Sequence, residues 1–118
     1  MKKLFLILAL TVFSSFAFVS CEYEEDNEMV DTVWSAPFGN DILWIEFTSN
    51  NQFEDYTTDP RGNYIHEDDG YGTYDYNPDY VTFITHNSPF PFDFAKVEGN
   101  EMTVVYKSGY TLVFNREY

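Results

Sequence analysis

The side chains able to do chemistry are few and scattered. Cys21 is the single cysteine, so no disulfide can form within the chain. His66 and His86 are the only side chains whose ordinary titration falls near neutrality. No serine or cysteine sits in a nucleophile motif, and carboxylates are too numerous to single out an acid–base pair. Catalysis is therefore not expected. His66-Glu67-Asp68-Asp69 could offer oxygens to calcium, but it lacks the spaced acids of a calcium loop. A solvated loop accounts for it, and neither histidine has the partner spacing of a zinc site. No metal and no cofactor is expected. The stronger lead is a set of rings, Trp44, Tyr71, Tyr76, Tyr80, Phe90 and Phe92. Exposed rings near carboxylates suit a neutral sugar or a protein partner, because the ring stacks on apolar faces and the acids accept hydroxyl protons. The same rings would be core if the inner and outer faces of their strands were exchanged.

These residues need a location. Lys2 and Lys3 open the chain, and an apolar run extends from Leu4 to Val19. That order of basic, apolar and small residues is the pattern of a secretory signal peptide. The run is shorter than the roughly 20 residues that span a bilayer core, and Ser14, Ser15 and Ser20 weaken it further. The segment Val19-Ser20-Cys21 resembles a bacterial lipobox, in which the cysteine becomes the acylated N-terminus. Ordinary cleavage beside Ser15-Phe16-Ala17, with Cys21 a free thiol, is the competing reading. Acyl chains on Cys21 would hold the protein on a membrane, each buried CH₂ contributing about 0.8 kcal/mol. The acids that follow, Glu22, Glu24, Glu25, Asp26 and Glu28, resemble the export signal of surface lipoproteins in Gram-negative outer membranes. They also read as a solvated tether.

Without residues 1–20 the chain keeps four cations (Arg61, Lys96, Lys107, Arg116) against all 20 acids, a net charge of −16. Phosphate binding needs a basic surface, so nucleic acid is an improbable partner. Polybasic attachment to anionic lipid is excluded for the same reason. The remaining partners are a small ligand or another envelope protein.

From Thr32 onward the apolar period is two, the signature of strands. Leu43, Ile45 and Phe47 fall on one face; Trp44, Glu46 and Thr48 fall on the other. Turn signals recur at Ser49-Asn50-Asn51, Asp59-Pro60-Arg61-Gly62-Asn63, Asn77-Pro78-Asp79, Glu98-Gly99-Asn100 and Ser108-Gly109. They delimit seven to eight short strands. An antiparallel meander closed into a barrel would remove the exposed edges of such a sheet. The alternation predicts a core of Trp34, Leu43, Ile45, Phe47, Phe53, Tyr74, Val81, Phe83, Ala95, Val97, Met102, Val104, Leu112 and Phe114. The organisation is a leader over 1–20, an acidic tether over 21–31 and one all-β domain over 32–118.

An early Trp34, aromatics at Phe47 and Phe53 around a turn, Gly72-Thr73-Tyr74, Val97-Glu98-Gly99-Asn100-Glu101-Met102, and a terminal Phe114 and Arg116 come in a characteristic order. This order resembles the small lipocalin-like domains of secreted bacterial lipoproteins. The resemblance implies a small barrel anchored at the outer membrane that binds without turnover. Its ligand would be small, apolar or glycan-like. A protein-interaction module of an envelope complex is the alternative.

Overall fold

A computed structural model describes residues 25–87 and 90–118, without the side chains of His66, Glu67 and Asp68. The leader, Cys21 and the first tether residues lie outside this range. The strands are β1 (Val33–Phe38), β2 (Asp41–Phe47), β3 (Gln52–Thr58), β4 (Tyr64–Asn77), β5 (Tyr80–Asn87), β6 (Phe92–Glu98), β7 (Glu101–Tyr106) and β8 (Thr111–Arg116). Each pairs antiparallel with the next, and β1 meets β8 through Trp34↔Arg116 and Ser35↔Asn115. The result is a closed eight-stranded meander barrel. The period-two pattern and hairpin turns dictate this arrangement, and closure leaves no sheet edge unpaired.

A barrel of this size has an interior just wide enough to be filled by side chains, and here aromatic rings fill it. Phe47 packs edge-on against Tyr74 at 4.8 Å. Phe53 meets Phe83 at 5.0 Å, Phe83 meets Phe92 at 5.2 Å, and Phe92 meets Tyr106 at 5.3 Å. This ladder runs from the lower end, where the Asn77–Tyr80 turn lies, to the upper end at Phe38 and Phe90. Each such ring pair adds about 0.5–1.5 kcal/mol beyond its buried area, which compensates for the missing disulfide. The expected core is buried as read, except that Val97 and Leu112 are only partly buried at its margin. Met29, Ala36, Phe90, Phe92 and Tyr106 join it.

The lower end is sealed by chain expected to be tether. Met29 is buried, and Thr32 Oγ1 donates to the Met29 carbonyl at 2.6 Å while accepting from Trp34 Nε1 at 2.8 Å. Asp31 N donates to the Phe47 carbonyl at 2.8 Å, and Asp31 takes a φ of 67° to make the turn. The folded unit thus begins a few residues before Thr32. Met29 is one apolar residue among acids, too little for a periodic signal.

Three irregularities of register cluster toward the upper end. Residues 66–69 of β4 stand opposite Tyr56 alone, because Asp55 pairs with Gly70 and Thr57 with Ile65. Ile84 is an extra residue in β5, since Thr73 pairs with Thr85 and Tyr74 with Phe83. Asp93 is an extra residue in β6, since Phe92 pairs with Tyr106 and Phe94 with Val105. Each bulge reverses the inside–outside alternation beyond it. Val81 and Phe83 point inward, Ile84 and Thr85 are exposed, and His86 turns in again. Phe92 and Ala95 both point inward across the exposed pair Asp93 and Phe94.

Candidate functional site

The bulges place a polar cluster among the rings. Asp55 is 1% exposed, and its Oδ2 lies 2.5 Å from His86 Nε2. Asp55 follows the ordinary inward phase of β3, after Phe53 and before Thr57. His86 reaches it across β4, which lies between the two strands, at the point where Gly72 pairs with His86 and with Phe53. The imidazole stacks on Phe92 at 4.6 Å and contacts Phe53 at 5.1 Å. Its Nδ1 accepts from the Phe92 backbone N–H at 3.3 Å. The same Phe92 N–H also donates to the Phe90 carbonyl at 2.9 Å, and an accepting Nδ1 matches an Nε2–H that donates to Asp55. Both imidazole nitrogens are therefore engaged.

Tyr106 completes the cluster. Its hydroxyl is buried without a hydrogen-bond partner among the described residues. Burial first, then Tyr110 and the Asp55 carboxylate, push the phenol up to about 12. A buried hydroxyl without a partner costs about 1–3 kcal/mol. Tyr106→Phe keeps the ring contacts and deletes that cost. It is expected to hold or raise the melting temperature, and a drop of several degrees by calorimetry would show that the hydroxyl is engaged in solution.

A second constellation lies on the outer face of β2–β4 and is open. Trp44 stacks on Tyr56 at 6.2 Å with ring planes 12° apart, and Tyr56 meets Tyr64 at 5.2 Å. Trp44 Nε1 donates to Thr58 Oγ1 at 2.9 Å, and the Tyr56 hydroxyl donates to Glu46 Oε2 at 2.6 Å. Burial and then the Glu46 carboxylate hold the Tyr56 phenol far above its ordinary range. The row ends in a groove of about 340 Å³ lined by Glu54, Asp55, Tyr64, Asp69, Gly70 and Tyr71. The wide bulge of β4 opposite Tyr56 borders it. Its volume falls in the range of about 300–1,000 Å³ usual for small-molecule sites. Tyr71 is 60% exposed at its rim, with its hydroxyl accepting from Asn87 Nδ2 at 2.9 Å.

The six rings singled out from sequence are not gathered in one place. Trp44 and Tyr71 belong to the outer row and groove. Tyr76 sits at the lower end, where its hydroxyl donates to Glu28 Oε1 at 2.9 Å. Tyr80 lies on the outer face of β5, with Lys96 Nζ 5.9 Å from its ring centre. Phe90 and Phe92 are corrections to the expected exposed set: both are buried, Phe92 by the bulge at Asp93 and Phe90 by packing edge-on against Phe38 at 5.1 Å. Sequence reasoning passed over Asp55, Tyr106, Glu54, Tyr56 and Tyr64, and considered Asp69 only as a possible calcium oxygen in a solvated loop. Alternation from Phe53 and from Met102 carries the signal for Asp55 and Tyr106. Asp69 falls in the polar stretch that gives no period. Among the described residues no group of three His, Cys, Asp or Glu side chains is placed to hold a metal ion.

Comparison of the chain with protein-family models, with curated proteins and with solved structures finds no match. The functional reading therefore rests on the eight-stranded antiparallel barrel and the geometry of its surfaces.

Proposed function

We propose that this chain is a lipocalin-like binding module of a bacterial lipoprotein, acylated at Cys21 and displayed on the outer membrane, which holds a glycan-type ligand without turning it over. The observation that carries this reading is the continuous row Trp44–Tyr56–Tyr64 leading into the groove with Tyr71 at its rim. Sugar rings present apolar faces to aromatic side chains and hydroxyls to acceptors, and Glu54 and Asp69 line the same groove. The barrel mouth is a poorer fit for a ligand, because Phe90 and Phe92 fill it. The non-catalytic reading is supported by His86, whose nitrogens are both committed to Asp55 and the Phe92 backbone. A general base needs a free nitrogen within reach of its proton.

A glycan array probed with the full-length protein tests the binding. Tyr64→Ala and Tyr71→Ala are each expected to weaken a glycan hit about fivefold, since one stacked ring contributes on the order of 1 kcal/mol, with unchanged circular dichroism. Binding that survives both changes would place the ligand elsewhere. Membrane attachment has its own test: Cys21→Ala is expected to move the protein from the membrane to the soluble fraction, and continued retention would rule out the acyl anchor.

An interaction module is the second reading, and one observation favours it. Ile84 is 61% exposed, and Phe94 and Val113 are also exposed on the outer faces of β5, β6 and β8. These apolar side chains, set among Asp93, Lys96 and Glu98, suit docking on another envelope protein.

A further inference from the structure

The length of chain left between anchor and barrel fixes how the molecule stands. Residues 21–31 read from sequence as a tether, yet from Glu25 onward the chain is bound to the lower end of the barrel. Asn50, in the turn between β2 and β3, donates through Nδ2 to the Glu25 carbonyl at 3.1 Å, and its Oδ1 accepts from the Asn27 backbone N–H at 2.7 Å. Asn27 Nδ2 donates to the Asn50 carbonyl at 3.2 Å, and the Glu28 carboxylate accepts from the Tyr76 hydroxyl at 2.9 Å. Met29 is buried, and the Asp31 N–H donates to the Phe47 carbonyl. Only residues 22–24 separate Cys21 from this seam. The four Cα steps from Cys21 to Glu25 reach at most about 14 Å.

Resting on the acyl-anchor reading above, we propose that the lower rim of the barrel is its membrane-facing surface, held within about 14 Å of zwitterionic lipid headgroups with the upper end pointing away. The rim consists of the turns at 48–51, 78–79 and 99–100 and the residues after β8. Strand β2 has seven residues, which rise about 20 Å. At the tilt of about 35–45° usual in barrels, the upper end then lies about 15 Å above the rim. Toppling is opposed on both sides. The flank beside the anchor, β2 to β4, turns Glu46, Glu54 and Asp75 outward, and pressing carboxylates on a bilayer strips their water. The apolar flank with Ile84, Phe94 and Val113 belongs to β5, β6 and β8, the other half of the ring. Strands about 4.8 Å apart close into an eight-stranded ring about 15 Å across, before side chains are added. Laying that flank on lipid would lift Glu25 beyond the reach of its tether. The flank is left facing sideways, open to a neighbour in the same membrane. The rim itself carries Glu28, Asp79, Glu98, Glu101 and Glu117 against Lys96 and Arg116. Anionic lipid would repel it, so zwitterionic headgroups are the surface it fits.

Acylation consumes the only thiol, so an introduced cysteine is the sole site for a fluorophore. The acylated protein is inserted into phosphatidylcholine vesicles with an energy acceptor on their headgroups. The donor sits at Asn100→Cys on the lower rim or at Asn40→Cys on the upper end. Energy transfer is expected to place the label at position 40 about 15 Å further from the headgroups than the label at position 100. A flexible Gly-Ser insert of about 15 residues between Glu24 and Glu25 adds about 20 Å of reach and should erase most of that difference. Replacing part of the phosphatidylcholine with phosphatidylserine at low salt should lift the label at position 100 away from the surface. Equal heights, or a label at position 40 that lies nearer, would overturn the stance and leave the anchor standing. A difference that survives the insert would overturn the short tether as its cause, and no lift on phosphatidylserine would overturn the choice of zwitterionic lipid. Protein that does not float with the vesicles would overturn the anchor reading and this proposal together.

Discussion

Gly72→Ala is expected to destabilise the barrel by about 3 kcal/mol or more, the upper end of what overpacking costs. A domain of this size has a net stability of only about 5–15 kcal/mol, so much of the protein should be lost to the insoluble fraction on expression. A β-carbon at position 72 would collide with the Thr85 carbonyl oxygen and lie 2.9 Å from the Phe53 ring. Neither neighbour can retreat. Thr85 is backbone of the adjacent strand beside the Ile84 bulge, and Phe53 is wedged between Phe47 and Phe83. Gly109→Ala is the control. Gly109 has a φ of 90° and nothing within 4 Å of its missing β-carbon. Its alanine variant bears only backbone strain, on the order of 1–2 kcal/mol. Thermal unfolding of the two variants side by side checks the contrast. Equal losses would mean that β4 and β5 do not approach this closely at Gly72.

The same bulges explain which parts of the molecule could be read from sequence. Where a strand keeps its period, as β2 does through Leu43, Ile45 and Phe47, the inner face is legible residue by residue. The hairpin turns likewise announce the meander, and closure follows from the need to pair its edges. A bulge is invisible to this reading because it is one residue of phase, with no residue type of its own. Asp93 and Ile84 each shift the phase of their strands, which is why Phe92 reads as one of the exposed rings and the inward turn of His86 goes unread. Asp55 failed to stand out for a different reason. Its phase is correct, but it is one acid among 20, and a lone inward carboxylate becomes meaningful only once its partner is known. The outer groove was half legible: Trp44 and Tyr71 fall on outward phases, whereas Asp69 lines it from the wide bulge of β4.

Asp55→Ala and His86→Ala are each expected to cost about 1–3 kcal/mol, because each removes the buried hydrogen bond that joins the two side chains. The two losses should not add. The pair sits among Phe53, Phe83 and Phe92, so a volume-matched apolar replacement such as Asp55→Leu with His86→Phe meets surroundings that already suit it. The double variant is expected to be no less stable than the better single variant, and the cycle should return a coupling energy of at least about 1 kcal/mol. Chemical denaturation of the two single apolar variants, the double variant and the parent supplies the cycle. The physical content lies in what the pair joins. Asp55 belongs to β3, His86 to the bulged end of β5, and the N–H that His86 Nδ1 accepts belongs to β6. β3 and β5 are not neighbours in the sheet, so the pair is a tie through the barrel interior, beneath β4. It sets where the upper ends of three strands lie and, through Asp55, the wall of the groove outside. If the double variant keeps full stability but loses affinity for the groove ligand, the tie is retained for the shape of the binding surface. If stability and binding fall together in proportion, the pair does no more than hold the fold.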